Sequence, residues 1–106
     1  MIRCLRWCFA HRAKKRKDEL VAVAEDGRLD RVKKLLKAGV DPNARCKDGF
    51  TALMCAAARG HTDVVVALLG FGAELHARAR YGRTAIEIAT QEGQSDVIAL
   101  LQERAS

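Results

Sequence analysis

Cys4, Cys8 and His11 stand in the pattern Cys-x3-Cys-x2-His, and cysteine with histidine is zinc chemistry. A structural zinc site needs four ligands. This stretch offers three, and no second pair comes later at a usual interval, so no metal is expected and the two thiols read as part of a basic tail. Cys55 and His61 raise a different chemistry, a thiolate beside a base. Nucleophilic catalysis would also need a third group to orient the base and a reason for shifted pKa values. Cys55 falls in the apolar run TALMCAAARGH, where Ile88 occupies the same place one period later, so it reads as a small core hydrophobe. His61 follows a glycine and His76 lies in a loop; neither is paired with a nucleophile. The chain has no Gly-x-Ser-x-Gly elbow, no phosphate-binding glycine loop and no His-Glu-x-x-His, and it reads as a protein without catalysis or cofactor.

Charge is the second chemical resource. Residues 1–17 carry Arg3, Arg6, Arg12, Lys14, Lys15, Arg16 and Lys17 with no acid, which leaves twelve basic against thirteen acidic residues in the rest. The overall +6 is thus a property of one end. Ile2, Leu5, Cys8 and Phe9 have helical spacing beside those cations. Three roles compete for the segment: a helical cap on the rest of the fold or a solvated tail, a membrane-surface patch, and a nuclear-import or nucleic-acid patch, in that order. The membrane patch would use Cys4, Trp7, Cys8, Lys14, Lys15, Arg16 and Lys17, with acylated thiols beside a polybasic run. No run approaches the roughly 20 apolar residues of a membrane span. Four cysteines without a secretory pattern suggest reduced thiols and a cytoplasmic protein, with a peripheral membrane or nuclear location as the alternative.

The elements that must position these groups repeat. Gly27, Gly60 and Gly93 are 33 residues apart, as are Asp30, Asp63 and Asp96, Val32, Val65 and Ile98, and Leu35, Leu68 and Leu101. Gly49 pairs with Gly82, Thr51 with Thr84 and Gly39 with Gly72. Each unit reads as two short helices. In the second, Thr51 caps a helix from about Ala52 to Arg59, and Gly60 ends it with a positive φ. A second helix starts at Thr62-Asp63, carries Val64, Val65, Ala67, Leu68 and Leu69 on an apolar face, and ends near Gly70–Gly72. An extended stretch with Tyr81-Gly82 as a turn comes next.

The strings Thr51-Ala52-Leu53-Met54-Cys55-Ala56 and Thr84-Ala85-Ile86-Glu87-Ile88-Ala89, at this period, resemble the ankyrin repeat and its Thr-Pro-Leu-His-x-Ala signature. The resemblance covers residues 18–106. It departs from the family in having Ala52 and Ala85 for proline, and Met54 and Glu87 for histidine. It implies an all-α solenoid of three helix-turn-helix units with short β-hairpin loops, at about 18–46, 47–79 and 80–106, after the basic segment 1–17. Alanines at 56, 57 and 89 let neighbouring units approach closely. Three units are about the minimum for a stable stack, so a complete short array of modest stability is expected, with Arg31, Lys33, Lys34, Lys37 and Gln102 on its outer faces.

In that family partners dock on hairpin tips and the concave face of the inner helices. Position by position, this implies protein binding through Lys47, Asp48, Phe50, Met54, Arg59, Arg80, Tyr81, Arg83, Glu87 and Gln91, with Ala58 and Glu92 beside them. Aromatics and arginines are favoured anchors, which puts Phe50, Tyr81, Arg80 and Arg83 first. The expected molecule is a monomer that binds another protein. A membrane-surface or nucleic-acid factor directed by the basic segment is the alternative, with nucleic acid ranked last among partners.

Overall fold

The computed structural model describes residues 16–46, 49–79 and 81–105. Six helices run along them: α1 (Arg16–Glu25), α2 (Leu29–Lys37), α3 (Ala52–Arg59), α4 (Thr62–Gly70), α5 (Ala85–Gln91) and α6 (Ser95–Ala105). The residues at the helix starts explain their positions. The Met54 N–H donates to Thr51 Oγ1 at 3.2 Å, and the Thr51 N–H points back at Met54 Sδ, 3.5 Å away. In the next unit the Glu87 N–H donates to Thr84 Oγ1 at 3.4 Å and the Thr84 N–H to Glu87 Oε1 at 3.0 Å. A thioether and a carboxylate thus close the capping box at the position where the resemblance implies histidine.

The inner helices also end alike. Gly60, at φ +78°, lets the His61 N–H turn back to Ala56 O at 3.0 Å. The same 3.0 Å bond joins Arg28 to Val23 O and Gln94 to Ala89 O. A residue with a Cβ would be strained in that left-handed turn, and the period of 33 in the glycines is the trace of that requirement.

The helices form two layers. α1, α3 and α5 stack on one another in the inner layer, α2, α4 and α6 in the outer, and each unit's two helices pack together. Extents of 33 × 27 × 19 Å fit this, since helices in contact lie about 8–10 Å apart. Close approach falls where alanines do: Ala24, Ala56, Ala57 and Ala89 are fully buried between inner helices. One continuous core results, with Leu20, Leu53, Met54, Leu68, Ile88 and Leu101 fully enclosed.

Burial at equivalent positions depends on which neighbour exists. Val64 and Val97 face the preceding unit and are fully buried, whereas Arg31 in the first unit is exposed. Val32 and Val65 face the following unit and are buried, whereas Ile98 in the third is half-buried. Leu68 and Leu101 are enclosed while Leu35, with no earlier unit described beside it, is only half-buried against the same core. Arg31, Lys33, Lys34, Lys37 and Gln102 are exposed, as expected of outer faces.

The hairpins are shorter than the word suggests. Among the described residues no strand forms; Arg45 and Thr51 make one isolated antiparallel bridge. Each loop is closed by two backbone bonds: Cys46 N–H to Phe50 O at 3.0 Å and Gly49 N–H to Cys46 O at 2.9 Å, then Ala79 N–H to Arg83 O at 2.7 Å and Gly82 N–H to Ala79 O at 2.8 Å. Side chains tie neighbouring loops. Asn43 Oδ1 accepts from the Glu74 N–H at 2.6 Å, and Arg45 Nη1 donates to Arg78 O, also at 2.6 Å.

His61, which follows the helix-ending glycine, joins two units. Its Nε2 lies 3.0 Å from Glu25 O in the preceding unit, and its ring covers Gly27, where an added Cβ would meet Cε1 at 2.7 Å. Gln94 repeats the device one unit on: Nε2 donates to Ala58 O at 3.0 Å, and a Cβ on Gly60 would meet its Oε1 at 2.5 Å. The glycines therefore serve two needs, the left-handed turn and room for the next unit's side chain.

Candidate interaction surface

The tips of the second and third units differ in what they offer. Phe50 is 9% exposed and Met54 1%, so both side chains are used in packing. Ala58 is closed as well. The reason lies in the stack: the face of α3 that carries Met54 is covered by the third unit, whereas no described unit covers the equivalent Glu87, which is exposed. Lys47, Asp48 and Arg80 lie outside the described residues. So do Cys4, Trp7, Cys8, Lys14 and Lys15, together with the side chains of Arg16 and Lys17.

In the third unit Arg83, Glu87 and Gln91 come together, and Tyr81 is their near neighbour in sequence. Tyr81 stands at the turn with 85% of its surface exposed. Arg83, two residues on, donates from Nη1 to the side-chain oxygen of Gln91 at the end of α5. Glu87 lies between them in sequence, held by the Thr84 cap. Arg78 Nη1 donates to Gly82 O at 3.1 Å and steadies the same turn. The result is an exposed ring, a guanidinium, a carboxylate and a carboxamide along one edge, carried on a loop and a helix that hydrogen bonds hold in place.

Arg59 belongs elsewhere. Its Nη2 reaches back to Glu25 Oε2 at 3.7 Å, pairing the second inner helix with the first. Glu25 was not among the residues the sequence singled out, although its side chain is only 3% exposed. The signal was present in the repeat register: Glu25 occupies the place of Ala58 and Gln91, so an ionisable side chain stands where the second unit has a buried methyl. Gln94 was missed for the same reason, being the register partner of His61.

The cap acts on Glu87 electrically. The Thr84 N–H, then the Thr84 hydroxyl, hold its carboxyl below the usual carboxylate range, with smaller help from Arg78 and Arg83 against a small opposing effect of desolvation. A carboxyl lowered on folding contributes stability above its unfolded-state pKa and loses that contribution as pH falls through the folded-state value. In an NMR titration the Glu87 side chain should therefore protonate at lower pH than an unperturbed glutamate. Thr84→Ala removes the hydroxyl and keeps the larger backbone contribution, so it should bring the titration only part of the way back, and an unmoved titration in that variant would refute the hydroxyl's share.

Among the described residues no three His, Cys, Asp or Glu side chains gather as metal ligands, and Cys55 is fully buried in the core. The triad Cys4, Cys8 and His11 lies outside the described residues. No described helix is long and apolar enough to cross a membrane.

Compared with protein-family models, residues 20–106 match the model for ankyrin repeats (3 copies). A search of curated proteins found no match.

Proposed function

Since the chain belongs to the ankyrin repeat family, we propose that it recognises another protein without catalysis, using its hairpin edge and the concave face of its inner helices. Ankyrin repeats are generally protein–protein interaction modules. The observation that carries the reading is Tyr81: a large aromatic ring, 85% exposed, on a turn closed by two backbone bonds and by the Arg78 guanidinium. Aromatic rings and guanidiniums that are already in place lose little conformational freedom on docking, and such groups supply most of the affinity in known interfaces. Arg83, Glu87 and Gln91 add donors and acceptors to the same unit's edge. Arg80 precedes Tyr81 in sequence, and Lys47 and Asp48 of the preceding unit complete the proposed contact set, whereas Phe50 and Met54 are buried in the packing.

The proposal includes a monomeric, cytoplasmic protein. Four cysteines without a secretory pattern suit a reducing compartment. The basic segment 1–17 keeps its membrane-surface alternative on the strength of its seven cations and two cysteines.

The test is a triple variant, Tyr81→Ala, Arg83→Ala and Gln91→Ala, in the full chain. These side chains lie at the surface, so the melting curve should stay close to the parent's. Proteins captured by the parent chain should be lost from the variant, by about tenfold or more if the edge holds the anchors. Capture that survives the triple change would refute the edge as the binding surface.

A further inference from the structure

The hairpin edge has a chemistry of its own. Arg45, Arg78 and Arg83 stand in its two loops, with the exposed Glu87 nearby, while the chain beyond residue 17 is almost balanced in charge. The arginines are also fixed. Arg45 Nη1 donates to Gly49 O at 2.8 Å within its own loop and to Arg78 O at 2.6 Å in the next. Arg78 Nη1 donates to Gly82 O, in the same relation one period later. Each uses a single nitrogen for these bonds. The guanidinium has five N–H donors in a planar fork, so its remaining edge can take a carboxylate bidentately. Tyr81 stands between Arg78 and Arg83 in sequence and is almost fully open.

We infer that this edge binds an acidic segment of a partner protein, with carboxylates on Arg45, Arg78 and Arg83 and an apolar side chain against the Tyr81 ring. The inference rests on the recognition function proposed above and adds the class of partner. Equivalent groups in stacked units are about 10 Å apart, the distance between packed helices. A peptide in the polyproline II conformation turns every third side chain to the same face over about 9 Å, so acidic residues three apart match the guanidiniums of successive loops. A nucleic acid fits less well. Its phosphates form an unbroken line of charge, and the exposed carboxylate of Glu87, close enough to interact with Arg78 and Arg83, interrupts the basic edge. Separate carboxylates can meet single arginines without spanning that acid.

The experiment is selection of random short peptides displayed on phage against the full chain, followed by binding measurements on the enriched sequences. The expected result is enrichment of peptides with Asp or Glu at a three-residue interval beside an apolar residue. Glu→Gln changes in such a peptide, which leave the protein untouched, should weaken binding about tenfold per lost charged contact. Arg78→Gln with Arg83→Gln should do the same, with melting curves recorded to show that the variant is folded. Lys14→Gln with Lys15→Gln should have little effect. Enriched peptides without acidic residues that still require Tyr81 would overturn the acidic class and leave recognition by this edge standing. Acidic peptides that depend on Lys14 and Lys15 and ignore Arg78 and Arg83 would place binding on the basic segment and overturn the inference. Tighter, edge-dependent binding of a single-stranded oligonucleotide would replace peptide with nucleic acid. If no sequence is enriched by the folded chain, the recognition function fails along with the inference.

Discussion

Leu53→Ala is expected to cost about 3 kcal/mol of folding stability, the usual size for a leucine removed from a closed core. For a domain of this size that lowers the thermal midpoint by roughly 15 °C. Leu53 is 1% exposed on α3, and α3 packs against α1, α4 and α5. A hole there weakens the second unit internally and both of its junctions. In a linear array each unit is held only by its neighbours, so damage at the centre has no detour around it. The internal control is Ile86→Ala. Ile86 occupies the same register position in the third unit but is only half-buried, and its loss should cost about half as much. Urea melts of both variants, followed by circular dichroism, make the comparison. Equal losses at the two positions would contradict the stacking order.

Arg59→Met should destabilise the chain by about 2 kcal/mol, and Glu25→Ala should restore most of that loss when added to it. The Glu25 side chain is 3% exposed, and the cation of Arg59 stands 3.7 Å from its Oε2. Taking away one member of a buried ion pair weakens the compensation of the charge that remains, and full loss of compensation typically costs about 3–5 kcal/mol. The smaller figure of about 2 kcal/mol reflects the long separation and the 39% exposure of Arg59, which lets water screen part of the attraction. Replacing the carboxylate by a methyl removes the buried charge itself, and Ala58 shows that a methyl fits this position in the second unit. A double-mutant cycle on thermal or urea unfolding separates the pair from the individual losses. If Glu25→Ala by itself proves as damaging as Arg59→Met and the two losses add, the pair is not coupled.

The helix ends and most of the core could be read directly from residue types, since they depend on local chemistry repeated three times. A threonine before an apolar run, a glycine after it, and valines and leucines at one period require only the backbone's need for caps and the burial of one face. Phe50 and Met54 show where this reading ends. By type and position both belonged to the docking surface, and both are enclosed in the packing. Met54 and Glu87 share a register position and a capping role, yet one is covered by a further unit and the other is open. Nothing in a single helix distinguishes them, because burial at the junction positions is a property of the pair of units.

The sequence alone determined the number of units, their helical boundaries, the ankyrin resemblance and the near-neutral body behind a basic first segment. These come from periodicity and local hydrogen-bond demands, which neighbouring residues satisfy. The tertiary structure decided that His61 and Gln94 reach across to Glu25 and Ala58, that Arg59 stands beside a buried carboxylate, that Arg45 joins two loops, and that Tyr81 is open while Phe50 is closed. Those outcomes depend on contacts between residues 33–36 positions apart, or on the presence of a covering unit. Side-chain direction and exposure at such a junction exist only once the layers have met.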